Sequence, residues 1–171
     1  MPEELWLVES FLNSVDVESG QDDLDSVARF RRWLRDHHRA VTATAADLAL
    51  ARELRTGLRE LLRGGTRSGD STRLAALAER IPLRVSFAGE RVGLAPGATG
   101  VAGVLGEVLG AVALADRDGS WRRLKRCRAD TCQVVFYDWS KNGSRCWCSM
   151  AVCGNRSKLR AYRSRAQSPS S

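Results

Sequence analysis

Between Leu5 and Val17 the apolar residues Leu5, Trp6, Val8, Phe11, Leu12 and Val15 recur at helical spacing. They predict a first helix that ends before the turn-forming Glu18-Ser19-Gly20-Gln21. After Asp22 and Asp23, the positions Leu24, Val27, Phe30 and Leu34, with arginines opposite, predict a second helix ending near His37-His38. Thr44 with Asp47 three residues on has the form of a capping box, and Leu48, Leu50, Leu54, Leu58, Leu61 and Leu62 continue a third helix up to Gly64-Gly65. Arg52, Arg55, Arg59 and Arg63 fall on its other rows and read as a solvated basic face. A polar linker, Gly64 to Ser71, then leads to a short fourth helix, Thr72 to Arg80, which Pro82 cannot continue.

The period then changes. Leu83 to Phe87 alternates, Ala88-Gly89-Glu90 turns, and Arg91 to Leu94 returns, so a hairpin burying Leu83, Val85 and Phe87 is expected. Ala98 to Ala115 is apolar but interrupted by Gly100, Gly103, Gly106, Gly110 and Glu107, which predicts a buried helix rather than a membrane span. Asp116 to Ser120 reads as a turn into a strand, Trp121 to Lys125. The expected class is α+β: a mostly helical domain, residues 1–120, with a small antiparallel sheet, then a treble-clef-like or ribbon-like metal module, residues 121–171, ending in a helix.

Charge divides the chain at the same place. Residues 1–120 hold 15 Lys and Arg against 18 Asp and Glu, a net of −3, whereas residues 121–171 hold 12 against 2, a net of +10. A segment of that sign attracts phosphate through counterion release. The opening residues carry Glu3, Glu4 and Glu9 and lack the pattern of an export signal, so a cytoplasmic protein is expected.

All five cysteines lie between Cys127 and Cys153. In a reducing compartment such clustering favours metal over disulfides. Four of them read Cys127-x4-Cys132-x15-Cys148-x4-Cys153, two matched pairs around a stretch suited to a short aromatic hairpin. Four thiolates complete the tetrahedral coordination of one structural zinc and leave no open position for a reacting water. Iron–sulfur ligation is the rival use of the same thiols. Cys146 is set aside as a free thiol, because in an extended chain it stands roughly 6.6 Å from Cys148 and the matched loops use the latter. Val134, Phe136, Tyr137 and Trp139 are expected to form the module's small core, and Asn142-Gly143 a tight turn with Lys141 and Arg145 exposed beside it. Ser149 reads as the N-cap of a helix from Met150 to Arg165 that contains no acidic residue. Such a helix is a solvated tail or faces a polyanion.

Cys153-Gly154-Asn155-Arg156, together with Trp147-Cys148-Ser149-Met150 and the Phe136-Tyr137-Asp138-Trp139-Ser140-Lys141-Asn142 stretch, resembles the CGNR zinc-finger family. Phe11-Leu12-Asn13-Ser14 and Trp33-Leu34 resemble its companion N-terminal domain, ABATE, described as a stress-induced transcription regulator. The resemblance implies a bacterial regulator with zinc on Cys127, Cys132, Cys148 and Cys153, a DNA-binding zinc module, and a larger domain that senses a small-molecule or protein effector. Cys146 departs from the family, which usually has Arg there. Asn155 and Arg156 have the chemistry to read adenine and guanine, and equally to brace the zinc loop and tie it to an acidic residue. With Lys141, Arg145, Lys158, Arg160 and Arg163 they are the candidate nucleic-acid contacts. RNA association and a zinc-stabilised protein-interaction module are the alternatives. No catalytic signature stands out, and an enzyme is not expected.

Overall fold

A computed structural model describes residues 1–63, 68–88 and 91–166. Among the described residues, six α-helices and three two-stranded antiparallel sheets make an α+β fold ending in a helix. Helix α1 (Glu4–Leu12) stops five residues before the expected end, and Val15–Asp16 (β1) instead pairs with Gln21–Asp22 (β2). The stop has a tertiary cause: Asn13, the C-cap, spends its side chain on Val135, 122 residues away. Ser26 caps α2 (Val27–Asp36) by accepting from the Arg29 amide, so Leu24 lies buried ahead of the helix rather than within it. Thr44 and Asp47 form the expected reciprocal capping box at the start of α3 (Ala45–Leu61).

Helix α4 (Ser68–Arg80) begins four residues earlier than its pattern indicated, while Gly64-Gly65 lies outside the described residues. Strands β3 (Leu83–Ala88) and β4 (Arg91–Pro96) form the expected hairpin, with Val85 opposite Leu94 and Phe87 opposite Val92. Its burial is the correction. Only the Leu83 end lies on α5 (Gly100–Asp118), where a Cβ on Gly106 would come within 3.2 Å of Pro96 Cβ and 3.6 Å of Leu83 Cδ2. Towards the turn the same face is open, with Val85 58% and Phe87 77% exposed.

Helix α5 continues through the expected turn to Asp118 and ends on Gly119 in the left-handed region (φ 80°). The expected strand at Trp121 is a 3-10 turn, Ser120–Arg123, followed by β5 (Leu124–Arg126). β5 pairs with β6 (Val135–Tyr137), so the hairpin of this region spans the first cysteine pair instead of lying between the pairs. Leu124 and Val135 belong to the large core with Leu5, Phe11, Leu34, Leu58 and Leu105. A smaller cluster surrounds the cysteines, with Ala129 and Phe136 buried. Among the described residues no helix is long and apolar enough to cross a membrane.

The arginine row of α3 is the second correction. Arg55 and Arg59 are buried. Arg55 donates to both oxygens of Asp22, at 2.6 and 2.7 Å, and to Ser14 Oγ at 2.9 Å. Arg59 donates to the Leu12 carbonyl at 2.6 Å and to the Gln133 carbonyl at 3.0 Å, joining the end of α1 to the loop between Cys132 and β6. Arg52 holds the Leu24 and Asp25 carbonyls. Arg52 and Arg63 are exposed and fit the solvated reading, Arg63 with Glu60 as its partner.

Candidate metal centre and its basic surroundings

Cys127 follows β5, and its amide donates to the Val134 carbonyl at 2.8 Å, closing a knuckle around Ala129. The amides of Cys132 and Gln133 both donate to the Ala129 carbonyl, and Gln133 adopts a positive φ of 55° to complete the turn. Cys148 comes from the following loop. Cys153 lies in a π-helical turn, Met150–Gly154, where the amides of Cys153 and Gly154 both donate to the Ser149 carbonyl. Ser149 is the expected cap, accepting from the Val152 amide. The wide turn carries Cys153 inward before α6 (Asn155–Ala166) starts. A knuckle on a hairpin plus a turn leading into a helix is the treble-clef-like arrangement.

The four sulfurs lie within 4.8 Å of one another, with Cys132 to Cys148 at 3.6 Å and Cys148 to Cys153 at 3.7 Å. A zinc tetrahedron with Zn–S near 2.3 Å has edges of about 3.8 Å, so the donors fit one structural zinc ion. Cys146 is not in the cluster; its thiol faces the Ser144 carbonyl.

Electrostatics makes the same case. Burial opposes ionisation of Cys127, but amides of Cys148 and Ala129 donate to its sulfur and hold it below the ordinary thiol value. Burial, with the Cys132 and Cys127 sulfurs, pushes Cys153 up to about 11 against a lowering contact from Cys148, and burial with its three sulfur neighbours raises Cys148 strongly as well. A thiolate is favoured at Cys127 and disfavoured at Cys148 and Cys153, a conflict that a divalent cation removes.

Asp138 anchors the loop between the pairs. Its buried carboxylate accepts from Lys125 Nζ at 2.7 Å and from the amides of Ser140 and Arg145, both at 2.9 Å. Burial alone would raise its pKa, but the Lys125 ammonium and these donors hold it far below the usual carboxylate range. Lys125 also donates to the carbonyls of Gly143 and Arg145. Sequence reading missed this role; the Asp-x-Ser spacing of an Asx turn was its signal.

Two expectations for the loop are corrected. Trp139 is 68% exposed and lies outside the module core, resting edge-on against Tyr137 at 4.9 Å. Arg145 is half-buried, donating to the Cys148 carbonyl at 2.6 Å with its guanidinium 5.1 Å from the Phe136 ring centre. Lys141 is exposed, as are Lys158, Arg160 and Arg163 along α6. Asn155 donates to the Ala151 carbonyl and Arg156 pairs with Glu18 at 2.9 Å, so both signature side chains have intramolecular partners. A Cβ on Gly154 would meet Met150 Sδ at 2.4 Å and Trp147 Cδ1 at 3.2 Å, so this glycine allows the Trp-Cys-Ser-Met segment to close on the turn.

Away from the thiols, α1, the end of α2, β4 and α5 line an open cavity of about 1020 Å3. Trp6, Leu7 and Leu114 supply apolar walls, and Ser10, His37 and Arg39 polar ones. His37 stacks on Trp33 at 4.1 Å, with Nδ1 against the Trp33 carbonyl and Nε2 against Ser10 Oγ; Arg39 pairs with Glu107.

No curated protein matches the chain. Residues 123–166 match the CGNR zinc finger profile. With residues 6–126 matching the ABATE profile, described as "Putative stress-induced transcription regulator", the chain belongs to the ABATE family and carries a CGNR zinc finger at its C-terminal end.

Proposed function

We propose that the protein is a DNA-binding transcription regulator whose zinc module contacts DNA and whose N-terminal domain receives an effector. The observation that carries this reading is the exposed basic surface of α6. Lys158, Arg160 and Arg163 project from a helix with no acidic residue, on a segment of net charge +10, and a zinc-stabilised turn sets its direction. Surface helices normally intersperse opposite charges, and a purely cationic face is relieved by a polyanion. Lys141 extends the same character onto the loop. Asn155 and Arg156 join the contact if DNA displaces their partners Ala151 and Glu18.

The effector half of the reading is supported by the cavity, whose size suits a small molecule. Helix α1 touches both sites: Trp6, Leu7 and Ser10 line the cavity, and Asn13 at its terminus holds β6 of the zinc module.

The test is a salt titration of duplex DNA affinity with the zinc-loaded protein. A steep negative dependence of log K on log salt is expected, weakened in Arg160→Ala and Arg163→Ala. Absence of binding at low ionic strength overturns the reading and moves it to a protein-interaction module. The exposed rings of Trp139 and Tyr162 favour a second reading, stacking on single-stranded RNA. Competition between duplex DNA and single-stranded RNA separates the two.

A further inference from the structure

The zinc module and the end of α3 enclose a second cleft, of about 820 Å3, on which six cations converge: Arg63, Arg122, Lys125, Arg126, Arg128 and Arg145. Two of them are committed, Lys125 to Asp138 and Arg145 to the Cys148 carbonyl. Arg63 has a loose pair with Glu60 at 3.2 Å. Arg122, Arg126 and Arg128 make no side-chain hydrogen bond or ion pair among the described residues, although Arg126 is only partly exposed. Crowding unpaired guanidinium groups over the apolar floor of Leu61, Leu62 and Trp121 is unfavourable in the isolated protein, and a low-dielectric floor focuses their field outward.

Among the described residues one acidic side chain lines the cleft. Asp130, its side chain 93% exposed, stands at the rim with its carboxylate 4.0 Å from Arg160 of α6. The helix therefore runs to the edge of the cleft, and Asp130 is where the two cationic surfaces meet.

We infer that this cleft is a phosphate-binding surface for the backbone of duplex DNA, continuous with α6 across Asp130, in which Arg122, Arg126 and Arg128 make the ion contacts. The inference rests on the DNA-binding reading above and extends it from a single helix to a surface built jointly by α3 and the zinc module. Arginine suits the role, since its planar fork matches two phosphate oxygens and remains charged at every accessible pH. Backbone contacts of this kind position a protein on DNA without reading sequence.

The experiment compares four zinc-loaded full-length proteins by fluorescence anisotropy on one mixed-sequence duplex across a series of salt concentrations: the natural chain, Arg126→Ala with Arg128→Ala, Arg160→Ala with Arg163→Ala, and Asp130→Asn. Zinc content and thermal unfolding are recorded for each. The cleft pair is expected to lower the salt slope by about 2, one for each arginine–phosphate ion pair removed, and to weaken binding at low salt by about tenfold or more. Asp130→Asn is expected to tighten binding severalfold, a gain that misfolding cannot produce. If the helix pair weakens binding while the cleft pair and Asp130→Asn leave affinity and slope unchanged, the cleft proposal is overturned and the DNA-binding reading stands. If the natural chain binds no duplex at low salt, both fall.

Discussion

The side-chain amide of Asn13 pairs with the backbone of Val135 as an adjoining strand would: Nδ2 donates to its carbonyl at 2.8 Å, and Oδ1 accepts from its amide at 2.8 Å. Val135 already forms the ladder with Arg126 on its other side, so Asn13 completes the edge of the zinc hairpin from within the helical domain. Asn13→Ala removes both bonds and leaves two Val135 groups without partners, at an expected cost of about 2 kcal/mol. Urea unfolding is expected to show this loss with zinc content unchanged; an unaltered midpoint would mean that water replaces the amide.

Arg59 makes the parallel connection, from α3 to the carbonyls of Leu12 and Gln133. Burial, together with nearby Arg55 and Arg63, lowers its pKa, and the charge is held at the carbonyl end of α1, where a cation is favoured. Arg59→Lys keeps the charge but lacks the fork to reach both acceptors, and Arg59→Met removes it. Losses of about 1–2 and 2–4 kcal/mol respectively are expected in chemical unfolding. Equal losses would show that packing of the stem, not the bridging fork, sets the cost.

The two thiols nearest in sequence are expected to behave differently. Cys148→Ser removes a member of the sulfur cluster and should lower zinc below one per chain, whereas Cys146→Ser should retain full occupancy. Elemental analysis after dialysis against a weak chelator checks both. Zinc loss from Cys146→Ser would reassign the fourth ligand.

Asp138 carries the clearest pH dependence. Its folded pKa lies below the unfolded value of about 3.9, so its contribution is fully present above that value and is lost as pH falls through the folded pKa. Asp138→Asn at neutral pH leaves Lys125 without its buried counter-charge, at an expected cost of roughly 2–4 kcal/mol. The gap between variant and natural protein should narrow as pH drops from about 5 towards 2. Both proteins retain the four cysteines, so acid competition for zinc cancels in the comparison, and a gap constant over that range would refute the assignment.

Exposure of the hairpin tip gives a prediction opposite to that of the sequence pattern. Phe87→Ser should change stability by no more than about 0.5 kcal/mol, as at other exposed positions, where a core phenylalanine would cost about 3–5 kcal/mol. Thermal unfolding distinguishes the two directly.

The residues themselves determined what depends on neighbours along the chain. Helical periodicity marked α1, α2, α3 and α5, Thr44 and Asp47 marked a capping box, Ser149 marked a cap, and the matched spacing of Cys127, Cys132, Cys148 and Cys153 specified a closed four-thiolate site. Caps and ligand spacings are local chemistry, set within a few residues. The tertiary structure alone decided features that join distant segments. A row of arginines at exposed helical spacing looks solvated until Asp22, Leu12 and Gln133 are brought against it. An alternating strand looks half-buried until the fold leaves Val85 and Phe87 exposed with no element packed over them. The cationic cleft is of this second kind: Arg63 and Arg128 are 65 positions apart in the sequence, and their shared field exists because core packing of Leu124 and Val135, with the bonds of Asn13 and Arg59, holds the zinc hairpin against α1 and α3. Periodicity reports which face a residue occupies, and long-range contacts decide what that face meets.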